Sequence, residues 1–185
     1  TRTYPLGPLT EDEKRFYTWT LQSHIDLARA VWLDYCECKM IDTIAREPLW
    51  RHLINYRCGT GHSVSFVGNV HEGPHALNSR NTTRMRPGMV VTDEPGVYET
   101  DLVGIRIENE LVCIHKTDNQ YGTFLGFEPL TFVPIATSPI LPGVLDKDEL
   151  AWLNDYHRQV FAKLAPHLDA EERVWLAEKC ASIGC

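Results

Sequence analysis

Four short segments decide how this chain reads: C-G-T-G-H at Cys58–His62, V-H-E-G-P at Val70–Pro74, T-D-E-P-G-V-Y at Thr92–Tyr98 and G-I-R-I-E-N at Gly104–Asn109. One glycine-punctuated stretch thus holds a histidine in a turn, a second histidine nine residues on, and two glutamates with small or turn-forming neighbours. His62 offers an imidazole nitrogen, and Glu94 and Glu108 offer carboxylate oxygens, a donor set suited to divalent ions such as Mn²⁺, Co²⁺ or Zn²⁺. A pair of such ions needs more oxygen ligands than two glutamates supply, so the set asks for further carboxylates.

Around these segments the pattern changes along the chain. Asn55–Leu77 is rich in glycine, which suits backbone turns that larger side chains resist. From Met89 the β-branched density rises, and Val90–Thr92, Ile105–Ile107 and Leu111–Ile114 read as strands, punctuated at Pro95-Gly96 and Asp118-Asn119. Asp93, by strand alternation, faces away from Glu94 and reads as structural. Upstream, Thr1–Leu6 reads as the end of a strand broken at Gly7-Pro8. Thr10 with Glu13 forms a capping box, and Tyr17, Leu21, Ile25, Ala28 and Trp32 share a stripe, which predicts an amphipathic helix over about 11–34. His24 lies beside that stripe and reads as a partly buried interface histidine. Ile41, Ala45, Leu49 and Leu53 predict a second helix, with Pro48 bending it or marking its first turn.

The last stretch has a different character. Asp146 with Glu149, and Asp169 with Glu172, cap two further helices, the first striped by Leu153, Tyr156, Val160 and Leu164. No polar constellation is legible there, and Trp152, Phe161 and Trp175 suggest a packing or dimer element. The expected organisation is a main unit over residues 1–135 and a helical extension over 136–185. Helices precede strands, so the fold class is α+β, with helices packed on one face of a sheet.

Composition bounds the function. The chain has 185 residues, 43% of them hydrophobic, enough for one sizeable core. A formal charge of −7 with interspersed signs argues against nucleic acid or an anionic membrane as partner. No apolar run approaches the ~18 residues that span a bilayer. The six cysteines, Cys36, Cys38, Cys58, Cys113, Cys180 and Cys185, show neither C-x-x-C pairs nor the spacing of a disulfide scaffold, which reads as free thiols in a reducing, cytoplasmic setting. The start at Thr1-Arg2-Thr3, without Met, reads as the inside of a longer polypeptide.

In this order and spacing the four segments resemble the aminopeptidase P family, proline-specific aminopeptidases with the pita-bread fold of methionine aminopeptidase, prolidase and creatinase. T-R-T-x-x-L-G at Thr1–Gly7, the segment Tyr121–Pro134 and W-L-N-x-Y-H at Trp152–His157 resemble its long, three-domain branch, so the resemblance covers nearly the whole chain. It implies a pita-bread fold incomplete at its N-terminal side, with a C-terminal helical extension. It also implies an Xaa-Pro metallo-aminopeptidase using two divalent ions, Mn²⁺ first and Co²⁺ or Zn²⁺ next, on peptides with proline in second position, and a homodimer. Positions matching the metal ligands are His62, Glu94 and Glu108, with Glu108 bridging; Glu94 also moves protons. His71 is implied as a catalytic hydrogen-bonding residue, and Arg106 and Tyr98 as groups orienting the carboxylates.

The chain departs from the family pattern at three places. Cys58 stands where the family has a histidine that contacts substrate, and a thiol is only a weak donor. Ser63 and Ser65 stand where glycines are usual. The two aspartate ligands of the family lie upstream of Thr1, so a preceding segment must supply them and this chain alone is expected to be inactive. Two other readings stay open: a non-catalytic pita-bread binding module, and a prolidase- or creatinase-like relative.

Overall fold

A computed structural model describes residues 1–184. The elements in order are α1 (Glu11–Ala28), β1 (Val31–Leu33), α2 (Cys38–Trp50), β2 (Gly61–His62), β3 (Ala76–Leu77), β4 (Val90–Asp93), β5 (Gly96–Glu99), β6 (Val103–Arg106), β7 (Asn109–Asn119), β8 (Gly122–Pro129), α3 (Lys147–Leu164) and α4 (Ala170–Lys179), with one 3-10 turn at Ala165–His167. All three capping boxes form: Thr10 with Glu13, Asp146 with Glu149 and Asp169 with Glu172 each exchange side-chain and backbone bonds. Each satisfies two amide donors that a helix start otherwise leaves free.

The first helix is shorter than its apolar stripe suggests. It ends at Ala28, where Arg29 N–H closes onto the Ile25 carbonyl, and Val31–Leu33 turns into a strand. The reason is a partner that sequence periodicity does not reveal: β8 pairs antiparallel with β1, setting Trp32 opposite Leu125. Trp32 therefore packs from the sheet and not from a helix. The second helix ends at Trp50 with Pro48 in its last turn, and Leu53 lies beyond it, exposed in a left-handed conformation (φ 59°). Thr1–Leu6 forms no strand, although Glu108 N–H donates to Thr1 O (3.0 Å) and Arg106 N–H to Thr3 Oγ1 (3.0 Å).

The main sheet has the order β1-β8-β7-β4, all antiparallel, with β2-β3 and β5-β6 as separate two-stranded ribbons. Alternate residues Val91, Leu111, Cys113, Leu125 and Phe127 point to one side and pack with Leu27, Ile41 and Ala45 of the helices. A second core joins Tyr17, Leu21 and Ile25 of α1 to Ile105, Ile107 and Ile135, and to Leu153, Tyr156, Val160 and Leu176 of the last two helices. Each fully buried aliphatic side chain here contributes roughly 1.5–3 kcal/mol. Helix α1 thus lies between both cores and backs β4 and β6, the strands that lead into Glu94 and Glu108.

The C-terminal helices do carry buried polar groups, contrary to the sequence reading. Glu149 accepts from Gln22 Nε2 (3.0 Å), and His157 Nε2 accepts from the Ile135 amide (3.1 Å). The Tyr156 hydroxyl meets Arg2 (2.8 Å). Helical spacing displays only the apolar stripe; their partners come from segments far away in sequence. Five cysteines, Cys36, Cys38, Cys58, Cys113 and Cys180, are free thiols, and Cys185 lies outside the described residues. Among the described residues no helix is long and apolar enough to cross a membrane.

Candidate active site

The site begins with how closely two backbones approach. A Cβ on Gly61 would overlap the Thr92 carbonyl oxygen, so only glycine lets β2 lie against β4. Once there, the His62 amide donates to Thr92 Oγ1 (3.0 Å) and the Glu94 amide to the Thr60 carbonyl (2.7 Å). The Thr92 hydroxyl in turn donates to Glu94 Oε1 (2.9 Å). Thr92 therefore joins the backbone of one functional residue to the side chain of the other. Thr60 and Thr92 belong to the quoted motifs, yet their part in building the site has no signal in residue type or spacing.

His62 Nδ1 faces the carbonyl of Ser63 (3.0 Å), which accepts, so that nitrogen carries the proton. Nε2 then stands 2.9 Å from Glu94 Oε1. In the neutral ring this sets a lone pair against a carboxylate oxygen, and either a second proton or a cation must lie between them. Glu94 Oε2 is met from the other side by Arg106 Nη1 (3.4 Å), whose guanidinium also sits over the Tyr98 ring at 5.7 Å. The His71 ring lies 4.1 Å from that of His62, centroid to centroid, and is exposed. Cys58 is half-buried and its thiol donates to Gly96 O (3.8 Å); burial pushes its pKa up, so it is a neutral donor.

Glu108 is placed by the N-terminal segment, where the Thr1 hydroxyl donates to its Oε2. Burial opposes its charge, while the hydrogen bond from the Thr1 hydroxyl and the nearby Arg106 favour it. Among the described residues no three His, Cys, Asp or Glu side chains are grouped closely enough to hold an ion by themselves. The donor types of His62, Glu94 and Glu108 nevertheless fit a divalent ion.

Asp93 turns away from the site, as strand alternation requires, and is fully buried with its Oδ2 2.9 Å from Nδ1 of His24. The two are not aligned as a hydrogen bond, and burial pushes the Asp93 carboxyl up to about 6, against the pull of His24. His24 is fully buried rather than partly, with Trp152 edge-on at 5.8 Å. His75, to which the sequence reading gave no role, donates from Nε2 to Val90 O (2.7 Å) and fixes the start of β4.

A family described as metallopeptidase family M24 matches residues 1–115, and one described as the C-terminal region of peptidase M24 matches residues 123–183. The chain is 40% identical to a protein named probable Xaa-Pro aminopeptidase P from Laccaria bicolor, over 99% of this chain and 30% of that protein. It is likewise 40% identical to aminopeptidase P1 of Lotus japonicus, over 100% of this chain and 29% of that one. The chain therefore spans about 30% of the length of the curated relatives it matches.

Among solved structures, an X-prolyl aminopeptidase from Caenorhabditis elegans, described as a cytosolic enzyme with a di-nuclear active site, superposes with a TM-score of 0.92 at 36% identity. That likeness covers 98% of this chain and 31% of the other. A prolidase from Pyrococcus furiosus superposes with a TM-score of 0.60 at 29% identity, over 71% of this chain and 36% of the other. These likenesses make the α+β arrangement described above a part of the pita-bread fold that the motifs implied.

Proposed function

Because the chain belongs to metallopeptidase family M24, we propose that it is the C-terminal portion of an Xaa-Pro aminopeptidase that removes the residue preceding a proline. The observation that carries this reading is the extent of the likeness. The X-prolyl aminopeptidase structure matches 98% of the chain, α3 and α4 included, whereas the prolidase matches 71% with a much lower TM-score.

In this proposal His62, through Nε2, and the carboxylates of Glu94 and Glu108 hold two divalent ions, Mn²⁺ first, together with two aspartates from a preceding segment. When bound, the pair supplies Lewis acidity and lowers the pKa of water at the site. The chain's own residues do the rest. Glu94, kept in place by Thr92 and Arg106, is positioned to accept a proton from water and return it to the leaving amine. His71, exposed beside His62, reaches the peptide by hydrogen bond. Arg106 and Tyr98 fix the carboxylate orientation, and Cys58 offers a weak neutral donor where an imidazole would bind more firmly.

The same proposal includes a homodimer in the cytoplasm, with Val174 and Trp175 of α4, 61% and 53% exposed, as the apolar contribution of the tail. The test joins this chain to the segment that precedes it and measures release of the first residue from a proline-second tripeptide, with Mn²⁺ and after chelation. The joined protein is expected to turn over only with metal, and the 185-residue chain not at all. Turnover by the chain alone, or metal-independent turnover by the joined protein, overturns the reading.

A further inference from the structure

A cavity of about 520 Å³ opens beside Cys58, bounded by the end of α2, by Asn55–Gly59 and by Asn78–Arg80. Its lining includes three arginines, Arg46, Arg57 and Arg80, and no carboxylate, in a chain of formal charge −7. The three are not equivalent. Arg46 is buried and committed: Nε donates to Asp42 (2.8 Å), and the other nitrogens donate to Asn55 Oδ1 and to the carbonyls of Tyr56 and Cys58. It builds the wall and its charge is matched. Arg57 and Arg80 are exposed, and among the described residues neither has a carboxylate within 4.0 Å. Asn55 is exposed, with its carbonyl oxygen occupied by Arg46 and by Trp50 Nε1 (3.2 Å).

This cavity and the candidate active site share a wall. Cys58 lines the cavity, yet its thiol bonds to Gly96 O, two residues past Glu94, and feels the charges of both Glu94 and Arg106. A peptide held at Glu94 and His71 must lead its remaining residues out of the site. On the cavity side of Cys58 stand the guanidinium groups of Arg57 and Arg80, which have no carboxylate within 4.0 Å among the described residues and whose fixed donors suit carboxylate geometry.

We propose that this cavity is a carboxylate-binding subsite for the part of a peptide substrate beyond the scissile bond, with Arg57 and Arg80 as the recognising residues. The inference rests on the peptidase reading and adds a substrate preference to it: acidic residues following the proline.

The test uses the protein joined to its preceding segment and C-terminally amidated Ala-Pro peptides, with Glu or Gln at the first, second or third position after the proline. The expected result is a kcat/KM for Glu about tenfold above Gln at one or more positions, the size of a charge-assisted bond. The double variant R57Q/R80Q is expected to treat Glu and Gln alike. Equal treatment by the unaltered protein, or a preference that survives in the double variant, overturns the subsite while leaving peptidase activity standing. If neither peptide is turned over, the peptidase reading fails separately. The subsite is then decided by equilibrium binding of the same peptides, followed through the fluorescence of Trp50 in the cavity wall, with the same two outcomes.

Discussion

Arg2 donates from Nη2 to the hydroxyl of Tyr156 at 2.8 Å, joining the first residues of the chain to helix α3. The same guanidinium reaches Glu108 O (2.6 Å), Asn109 Oδ1 (2.7 Å) and Val133 O (2.7 Å), so both ends of the chain meet behind a candidate metal ligand. All these partners are neutral. The charge is held by oriented dipoles, and the cradle depends on every member staying in place.

Replacing Tyr156 by Phe is therefore expected to destabilise the chain by about 1–3 kcal/mol. The ring stays in the core, but Arg2 and the Val133 amide (3.2 Å) each lose an acceptor in a partly buried place. Urea denaturation of both proteins checks this, and a shift in midpoint without a change in slope is the expected form. An unchanged midpoint would mean that water takes over the hydroxyl's role.

Stability should also fall with pH because of His157. Burial, with Arg2 nearby, lowers its pKa to about 4 from 6.5. Between those values the unfolded chain binds a proton that the folded chain refuses, so stability is present above pH 6.5 and is lost as pH falls toward 4, on the order of 3 kcal/mol in all. Asp93 works in the opposite sense. Pushed up to about 6 by burial, it costs stability as pH rises from 3.8 toward 6. The two partly cancel, so the informative measurement is a difference. His157→Gln keeps an acceptor for the Ile135 amide but does not titrate, and the gap between it and the parent chain should narrow as pH drops from 6.5 to 4.

Gly61→Ala should be among the most damaging small substitutions. Its methyl group would overlap the Thr92 carbonyl oxygen, which is backbone and cannot rotate aside. Pushing β2 off β4 costs roughly 1–3 kcal/mol in overpacking, and it also parts His62 from Glu94. Thermal denaturation and Mn²⁺ binding measured together are expected to show both losses. Gly59→Ala, whose added carbon would meet Leu77 O at an ordinary 3.6 Å, serves as the mild comparison.

What the sequence made legible was whatever is local. The three capping boxes, the stripes of α1, α2 and α3, and the β-branched runs of β4 and β7 follow from residue type and spacing. The facing of Asp93 away from Glu94 follows from strand alternation alone. What escaped was non-local. Strand β1 exists because β8 lies beside it, and the sequence reading assigned neither as a strand. The Arg2–Tyr156 bond, the His24–Asp93 pair and the Arg57–Arg80 cavity join residues far apart in sequence, where no periodicity relates one to the other. Motif order drew attention to His62, His71, Glu94 and Glu108, but only the fold reveals Thr92 as the hinge between His62 and Glu94.

The sharpest test of the proposed site sets His62 against His71 in the protein joined to its preceding segment. The rings are neighbours, 4.1 Å apart, yet only His62 has Nδ1 tied to a carbonyl and Nε2 aimed at a carboxylate. His62→Ala should remove a nitrogen ligand, so metal content and activity fall together and excess Mn²⁺ restores part of both. His71 is exposed and aims no nitrogen at Glu94, so His71→Ala should leave metal content nearly unchanged. If its bond to the substrate forms mainly in the transition state, kcat and kcat/KM should drop equally, by about 10²-fold or more. Metal analysis beside steady-state kinetics on one Xaa-Pro tripeptide separates the lesions. Metal loss in the His71 variant would make it a ligand, full activity would remove it from the mechanism, and a rise in KM alone would make it a binding residue without a part in the chemistry.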